Sequence, residues 1–377
     1  MRICPITGSD KWQHYYTSKN NRIITGDQRI SEGKLEKIIC TDSGVVANKR
    51  RFSSEELEVL YGKEYELNTL GKEEHFFYTN EGRLSRSEVF YNWILPHLPK
   101  KFESLVEIGC GEGNLLQRIK NNFQDKNISG IDGSLRASEL AREKGLTVQQ
   151  ELIHGKENLS PTDVFLLINV IEHVEDISLV ISKLKSALNN NGRIIFCLPI
   201  QDYGGYDIFF HEHVWHFTSQ HFEHVLLKNG LSVLYKDFNH PINHGIGLYV
   251  CENGNNSLNM DFKYNDTIKN NLKIWNNRFL ICQTKLREID NKKIALFGAG
   301  EVATIFLAFT DLYKLNIIAC IDDSKGEGTE KHDIPIYSSS WLEENKVDVL
   351  LLTVNEKYHD MVRDKLKHLN LNIKSIY

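Results

Sequence analysis

Apolar positions along this chain follow two rhythms. From residue 104 onward, short apolar runs of the kind that make buried strands alternate with stretches whose apolar residues recur every three or four positions. Residues 104–108 predict a strand and 114–122 a helix, 128–131 a strand and 136–144 a helix, then 164–169 a strand, 177–188 a helix, 193–198 a strand and 221–229 a helix. Two strands in succession follow, 231–238 and 247–252. Such alternation predicts an α/β fold with a mostly parallel sheet covered on both faces. Over 264–290, Ile268, Leu272, Trp275, Phe279, Cys282, Leu286 and Ile289 form one apolar stripe, which predicts a long connecting helix that packs against a domain. A second α/β stretch begins at Lys292, with strands at 294–297, 317–321, 347–354 and 373–377 and helices at 302–313 and 357–369. Ahead of the first rhythm the chain is mixed and polar. It has β-like runs at 21–26 and 35–46, a helical stretch at 53–61, and a helix at 84–99 with Val89, Trp93, Ile94 and Leu98 on its apolar face. The pattern predicts three parts: a small N-terminal domain over 1–75, a central domain over 76–260, and a long helix with a C-terminal domain over 261–377.

Composition narrows the class. The formal net charge is -5 and no basic run stands out, which argues against nucleic acid as the main partner. All seven cysteines are isolated, and several sit in apolar runs, as small buried hydrophobes do, so a reducing compartment is expected. With neither a signal-peptide pattern nor an apolar stretch of about 20 residues, the expected location is cytoplasmic, away from membrane.

The first chemical signal is Glu107-Ile-Gly109-Cys-Gly111-Glu-Gly113, placed where a strand turns into a helix. Glycines admit positive φ and let the backbone approach a ligand, and the following helix offers free N–H groups. A carboxylate ahead of the first glycine suits a cationic ligand better than a phosphate. Asp132 ends the next strand, where a carboxylate can take ribose hydroxyls. Asp163 and Asn169 bracket the following one. Together with Asn169-Val-Ile-Glu-His173-Val and Asn191-Gly192-Arg-Ile-Ile-Phe, these residues resemble the class I S-adenosylmethionine (SAM) dependent methyltransferases over about residues 100–252. The resemblance implies a Rossmann-like sheet and SAM as cofactor, held by Glu107, Gly109, Gly111, Gly113, Asp132 and Asn169. It also explains the late strand pair, which a dehydrogenase sheet would not.

The second signal is the run Tyr206-Asp-Ile-Phe-Phe210-His211-Glu212-His213-Val-Trp-His216-Phe217, after the fifth strand. His211 and His213 could ligate a metal, but no second ligand pair is evident, so no metal is expected. The run resembles that of the sugar C-methyltransferases, which methylate carbons of nucleotide-linked keto-deoxysugars. Asn169 and His173, Glu212-His213, Phe217, and the turn Asn243-His244-Gly245-Ile-Gly247 match in order. The resemblance implies His213 as general base, Glu212 positioning base or substrate, and Asn169 and His173 lining the pocket. Tyr78 of Phe76-Phe77-Tyr78 is its candidate phenol. The chemistry is coherent: a carbon beside a ketone becomes nucleophilic only after losing a proton, which a histidine can take. The chain departs from the family at Phe210, where a tyrosine is usual. It departs again at Cys4-Pro-Ile-Thr7 and Cys40-Thr-Asp-Ser43, where paired cysteines bind zinc in the family; each pair has lost one thiolate, and no zinc is expected even with His14 nearby.

Gly298-Ala-Gly300-Glu-Val-Ala303, with Asp322 after the next strand, is a dinucleotide-type fingerprint on a stretch too short for two mononucleotide halves. It is expected to wall the sugar-nucleotide site or to be purely structural, with NAD binding the third choice. The expected partner is a small molecule. The alternatives are a SAM-dependent O- or N-methyltransferase of a glycan precursor or other metabolite, and a non-catalytic binding protein with a vestigial site.

Overall fold

The computed structural model describes residues 2–64, 74, 76–79, 82–155, 158–240, 245–254, 262–325 and 328–377. They form two compact units. One comprises Met1–Tyr16, Glu36–Ile208 and Glu212–Ile268, the other Thr17–Leu35, Phe209–His211 and Lys269–Tyr377. Among the described residues no helix is long and apolar enough to cross a membrane.

The chain opens with β1 (Trp12–Thr17), the hairpin β2 (Arg22–Ile24) and β3 (Ile30–Glu32), then β4 (Glu36–Cys40) and β5 (Val46–Asn48). α1 (Ser54–Val59) starts at a capping box between Ser53 and Glu56. A second hairpin, β6 (Phe76–Thr79) and β7 (Gly82–Ser85), leads into α2 (Arg86–Ile94). The helix expected over 84–99 is therefore shorter. Ser85 caps it by accepting from the Glu88 N–H, and it tightens into a 3-10 turn at Leu95–His97, beside Pro96.

The central sheet follows the sequence rhythm closely. Its strands are β8 (Ser104–Ile108), β9 (Asn127–Asp132), β10 (Thr147–Gln150), β11 (Thr162–Ile168), β12 (Leu188–Pro199), then, past the short β13 (Trp215–His216), β14 (Leu231–Asp237) and β15 (Ile246–Asn253). Their order is β10-β9-β8-β11-β12-β15-β14, parallel except where β15 runs antiparallel to β12 and β14. This is a Rossmann-like sheet closed by an antiparallel strand pair. α3 (Asn114–Asn122), α4 (Leu135–Glu143), α5 (Ile177–Ala187) and α6 (Ser219–Lys228) supply its helices. Period-two alternation divides β11 between two cores: Phe165 and Leu167 pack with Ile177, Val180 and Leu184 of α5, while Val164 and Leu166 pack with Leu115, Leu116 and Ile119 of α3. β10, with only Val148 buried, has no apolar run and is not foreseen in the sequence.

The four-stranded sheet β1-β4-β5-β13 joins the N-terminal strands to the segment before α6. The N-terminal 75 residues thus do not form one body of their own. Residues 1–16 and 36–64 belong with the central sheet, and Thr17–Leu35 with the C-terminal unit.

In that second unit α7 (Thr267–Glu288) precedes β16 (Ile294–Phe297), α8 (Glu301–Phe309), β17 (Ile317–Ile321), β18 (Glu330–Lys331), β19 (Ile334–Tyr337), α9 (Trp341–Glu344), β20 (Val349–Leu352), α10 (His359–Leu366) and β21 (Ile373–Ser375). The sheet order is β18-β19-β17-β16-β20-β21. The helix expected over 302–313 breaks at Thr310, whose extended backbone frees its hydroxyl to accept from the Leu312 N–H and donate to the Phe306 carbonyl. The open carbonyls at the end of α8 explain why the β2–β3 hairpin belongs here. Asn20 donates to the Ala308 carbonyl at 3.2 Å and Arg22 to that of Leu307 at 3.1 Å. The helix over 357–369 also shortens, with 3-10 turns at both ends of α10.

Candidate functional site

The glycine turn after β8 is shaped by sterics. Gly109 has φ +70°, and a Cβ there would lie 2.4 Å from Val170 Cγ2; Gly113 has φ +74°, and a Cβ would lie 2.4 Å from Leu146 Cδ1. Gly111, at φ +54°, turns its N–H to Asp132 Oδ2 at 2.7 Å, while Asp132 Oδ1 accepts from the Ser134 N–H at 2.8 Å. Asp132 therefore holds the turn in place before any ligand arrives, and burial raises its pKa against these two N–H groups. Asp163 works at the opposite end of β11, where its Oδ2 accepts from the Glu103 and Ser104 N–H groups.

Glu107 is buried, and its Oε2 has no hydrogen-bond partner among the described residues. Burial pushes its carboxyl up to about 8; Arg86 opposes this and Asp132 adds to it. Asn169 sits in the left-handed region at φ +55°, with a buried Oδ1 that also lacks a partner. Glu107, Gly109, Gly111, Asp132, Asn169 and His173 line one cavity of about 190 Å³. Tyr61 and Arg86 line it too. Neither was foreseen: each stands outside any motif, in the turn after α1 and at the start of α2.

The histidines separate. His211 belongs to the second unit, where its N–H donates to the Ile24 carbonyl at 2.8 Å. Phe210 bridges the same Ile24 and is buried. His213, by contrast, meets His173 edge-on with ring centroids 4.7 Å apart, and its Nδ1 lies 3.6 Å from Asp207 Oδ2. His173 lines the cavity, and its Nδ1 is 2.8 Å from the Tyr61 hydroxyl. His213 and Glu212 are buried but are not part of the described lining. Burial and the neighbouring His213 hold His173 neutral. Burial disfavours the charged form of His213 as well, but Asp207, Glu212 and Glu172 outweigh it and raise its pKa. The Tyr78 side chain and residues Asn243 and His244 lie outside the described residues, although the backbone of Tyr78 belongs to β6.

Glu172 was not foreseen. It is buried, neither carboxylate oxygen has a hydrogen-bond partner among the described residues, and burial raises it to about 7. The second pair of donors missing from the sequence is therefore Glu172-His173. Glu172, His173 and His213, and likewise Asp207, His213 and His216, present donor atoms within 4.8 Å of one another. At the second triad the Lys37 ammonium, 2.8 Å from His216 Nε2, opposes a further cation.

At the N-terminus the two pairs, Cys4 with Thr7 and Cys40 with Ser43, come together. Cys4 Sγ lies 3.4 Å from Ser43 Oγ, Thr7 Oγ1 lies 3.9 Å from Cys40 Sγ, and His14 is exposed. The Cys40 thiol is drawn down, chiefly by the neighbouring Cys4 thiol, whose own pKa rises. The double variant Thr7→Cys/Ser43→Cys is expected to restore a tetrahedral thiolate set and to hold about one equivalent of zinc, as counted by metal analysis after dialysis. A double variant that retains no more zinc than wild type would show that the zinc-site geometry is lost.

The C-terminal turn repeats the Asp132 device. Ala299 N–H donates to Asp322 Oδ2 at 2.9 Å and Ser324 N–H to Oδ1 at 3.0 Å. Glu301 occupies the first turn of α8, which disfavours a diphosphate there.

Comparison with known proteins agrees with the central sheet. Residues 85–236 match the family model described as a methyltransferase domain, and residues 290–377 that described as C2185-like, N-terminal. A tRNA U34 carboxymethyltransferase of Campylobacter curvus is 30% identical over 117 residues, 29% of this chain; the match spans 39% of that protein. Similar solved structures include a SAM-dependent methyltransferase of Clostridium acetobutylicum, at TM-score 0.36 and 15% identity over 45% of this chain and 90% of that one. A second is the magnesium protoporphyrin IX methyltransferase of Synechocystis with S-adenosylhomocysteine, at TM-score 0.35 and 16% identity over 44% and 80%.

Proposed function

From a chain whose residues 85–236 match a methyltransferase-domain family, we propose a SAM-dependent enzyme that methylates carbon in a nucleotide-linked keto-deoxysugar. The observation that carries the reading is His213. A buried histidine backed by the Asp207 carboxylate adjoins His173 at the wall of the cavity that holds Glu107 and Asn169.

The residues fit the cofactor. The unpartnered buried oxygens of Glu107 and Asn169 suit its hydroxyl and ammonium groups, and the excess of carboxylate suits its positive charge. When bound, SAM supplies an electrophilic methyl group. His213 takes the proton from the carbon beside the ketone, and Asp207 stabilises the imidazolium that results. The Tyr61 hydroxyl lies 2.8 Å from His173 Nδ1; where the phenol donates there, His173 carries its proton on Nε2, as a donor for the enolate oxygen. Glu212 and Asn169 position the substrate, with Tyr78 as the further phenol. No metal enters this scheme.

Phe210 favours a second reading. A buried phenyl in place of a phenol weakens the case for a keto-sugar and leaves room for O-methylation of a hydroxyl by the same histidine. The test is transfer from methyl-labelled SAM to three acceptors: nucleoside-diphosphate keto-deoxysugars, their hydroxylated counterparts, and unfractionated tRNA. Label in a C-methyl group of the keto-sugar is expected. Label in an O-methyl group would move the reading to the second, and label in tRNA would discard both.

A further inference from the structure

We propose that Lys37 is a positioning residue of this reaction, acting through His216 and Asp207 to fix the tautomer of His213. The proposal rests on His213 as the base. Nothing in the sequence motifs points to Lys37, which lies on β4 in the N-terminal region.

Lys37 is fully buried, and a lysine is rarely buried without a partner for its charge. Pairing in the four-stranded sheet explains its place. Ile39 of β4 pairs with Val46 of β5, and Val46 pairs with His216 of β13, so Lys37, two residues before Ile39, lies on the same face. Its Nζ is 2.8 Å from His216 Nε2 and 3.4 Å from the His213 carbonyl. Burial pulls the Lys37 ammonium down to about 7, with Asp207 and Glu212 opposing the fall and Arg2 adding to it.

The hydrogen-bond inventory then sets each proton in turn. In its ammonium form Lys37 can only donate, so His216 Nε2 then accepts and the His216 proton sits on Nδ1. That Nδ1 lies 2.8 Å from Asp207 Oδ2 and donates to it. The Gln201 amide donates to Asp207 Oδ1. Asp207, held by donors on both oxygens, stays a carboxylate. Its Oδ2, 3.6 Å from His213 Nδ1, makes Nδ1–H the favoured form of His213 and leaves Nε2 as the basic nitrogen. The groups facing His213 are the Asp207, Glu212 and Glu172 carboxylates and the His173 and His216 rings. Of these, Asp207 is the carboxylate hydrogen-bonded to His216, and through it to Lys37.

Without the ammonium, His216 can move its proton to Nε2 and turn a lone pair toward Asp207. The carboxylate then loses a donor, and His213 loses the fixed negative charge beside Nδ1 that favours its Nδ1–H form.

The test reads tautomers directly and needs no acceptor: long-range proton–nitrogen NMR of the full-length protein with 15N-labelled histidine, saturated with SAM. His216→Gln and His213→Asn assign the signals. Wild type is expected to show His216 as neutral Nδ1–H and His213 with Nδ1 protonated. Lys37→Met is expected to keep SAM affinity within about twofold but to lose the single tautomer at both rings. A wild-type His216 protonated on Nε2 overturns the proposal, as does Lys37→Met with both tautomers unchanged. If Lys37→Met fails to fold, the wild-type spectrum alone decides. Failure of the acceptor assay with these tautomers in place would count against the function and not against the relay.

Discussion

His213→Asn is expected to lower methyl transfer by at least about 100-fold, the range typical of losing a general base, while SAM affinity stays within about twofold. Asparagine keeps an N–H that can face Asp207, so the local charge pattern survives. It has no basic nitrogen to take a proton. The buried surroundings sharpen the expectation: three carboxylates raise the pKa of His213, and no other described histidine of the cluster shares that environment. His173 is kept neutral by burial and by His213 itself, and His216 is held down to about 3, first by burial and then by Lys37. Neither can replace the lost base near neutral pH. Two measurements check this. Turnover with the acceptor identified by the panel gives the rate. Exchange of the acceptor's α-proton with deuterated solvent isolates the proton step from methyl transfer. His213→Asn that still exchanges at the wild-type rate would remove His213 from the role.

How much of this site can be read from the chain depends on whether its parts are local. The turn after β8 is local: strand, glycines and helix are consecutive, and the expected bounds 104–108 and 114–122 coincide with β8 and α3. The strand pair that closes the sheet is equally plain, because each strand carries its own apolar run. The histidine cluster is not local. His211 and His213 alternate in sequence and suggest a pair, yet they part into different units, and the real neighbours of His213 come from the turn after β11 and from Asp207. Lys37 is less legible still: a lysine near the start of a short strand reads as solvated, and only pairing through β5 brings it beside His216. The N-terminal boundary misleads for a similar reason. Residues 17–35 look continuous with their flanks, but the polar side chains of Asn20 and Arg22 are what the end of α8 lacks.

Glu107→Gln is expected to separate the charge of this residue from its shape. Between its unfolded value of 4.5 and about 8, Glu107 binds a proton in the folded protein that it would lose in the unfolded chain. Its raised pKa therefore favours folding at low pH, and that contribution is lost as pH rises through this window. SAM reverses the preference, because a cationic ligand favours the carboxylate. Binding near pH 7 should release up to about one proton, and affinity should tighten as pH rises toward 8, by at most about tenfold per unit. Glutamine resembles the protonated acid, so the variant should nearly match wild type at pH 6 and fall at least about tenfold behind it at pH 8.5. Without ligand, the variant should be the more stable protein at pH 8. Calorimetric titration with SAM in phosphate and in Tris buffers reads the proton directly, since the two differ in ionisation enthalpy. A variant that releases the same proton as wild type would place the titrating group elsewhere, with Asp132, whose pKa is also raised by burial, the next carboxylate to replace.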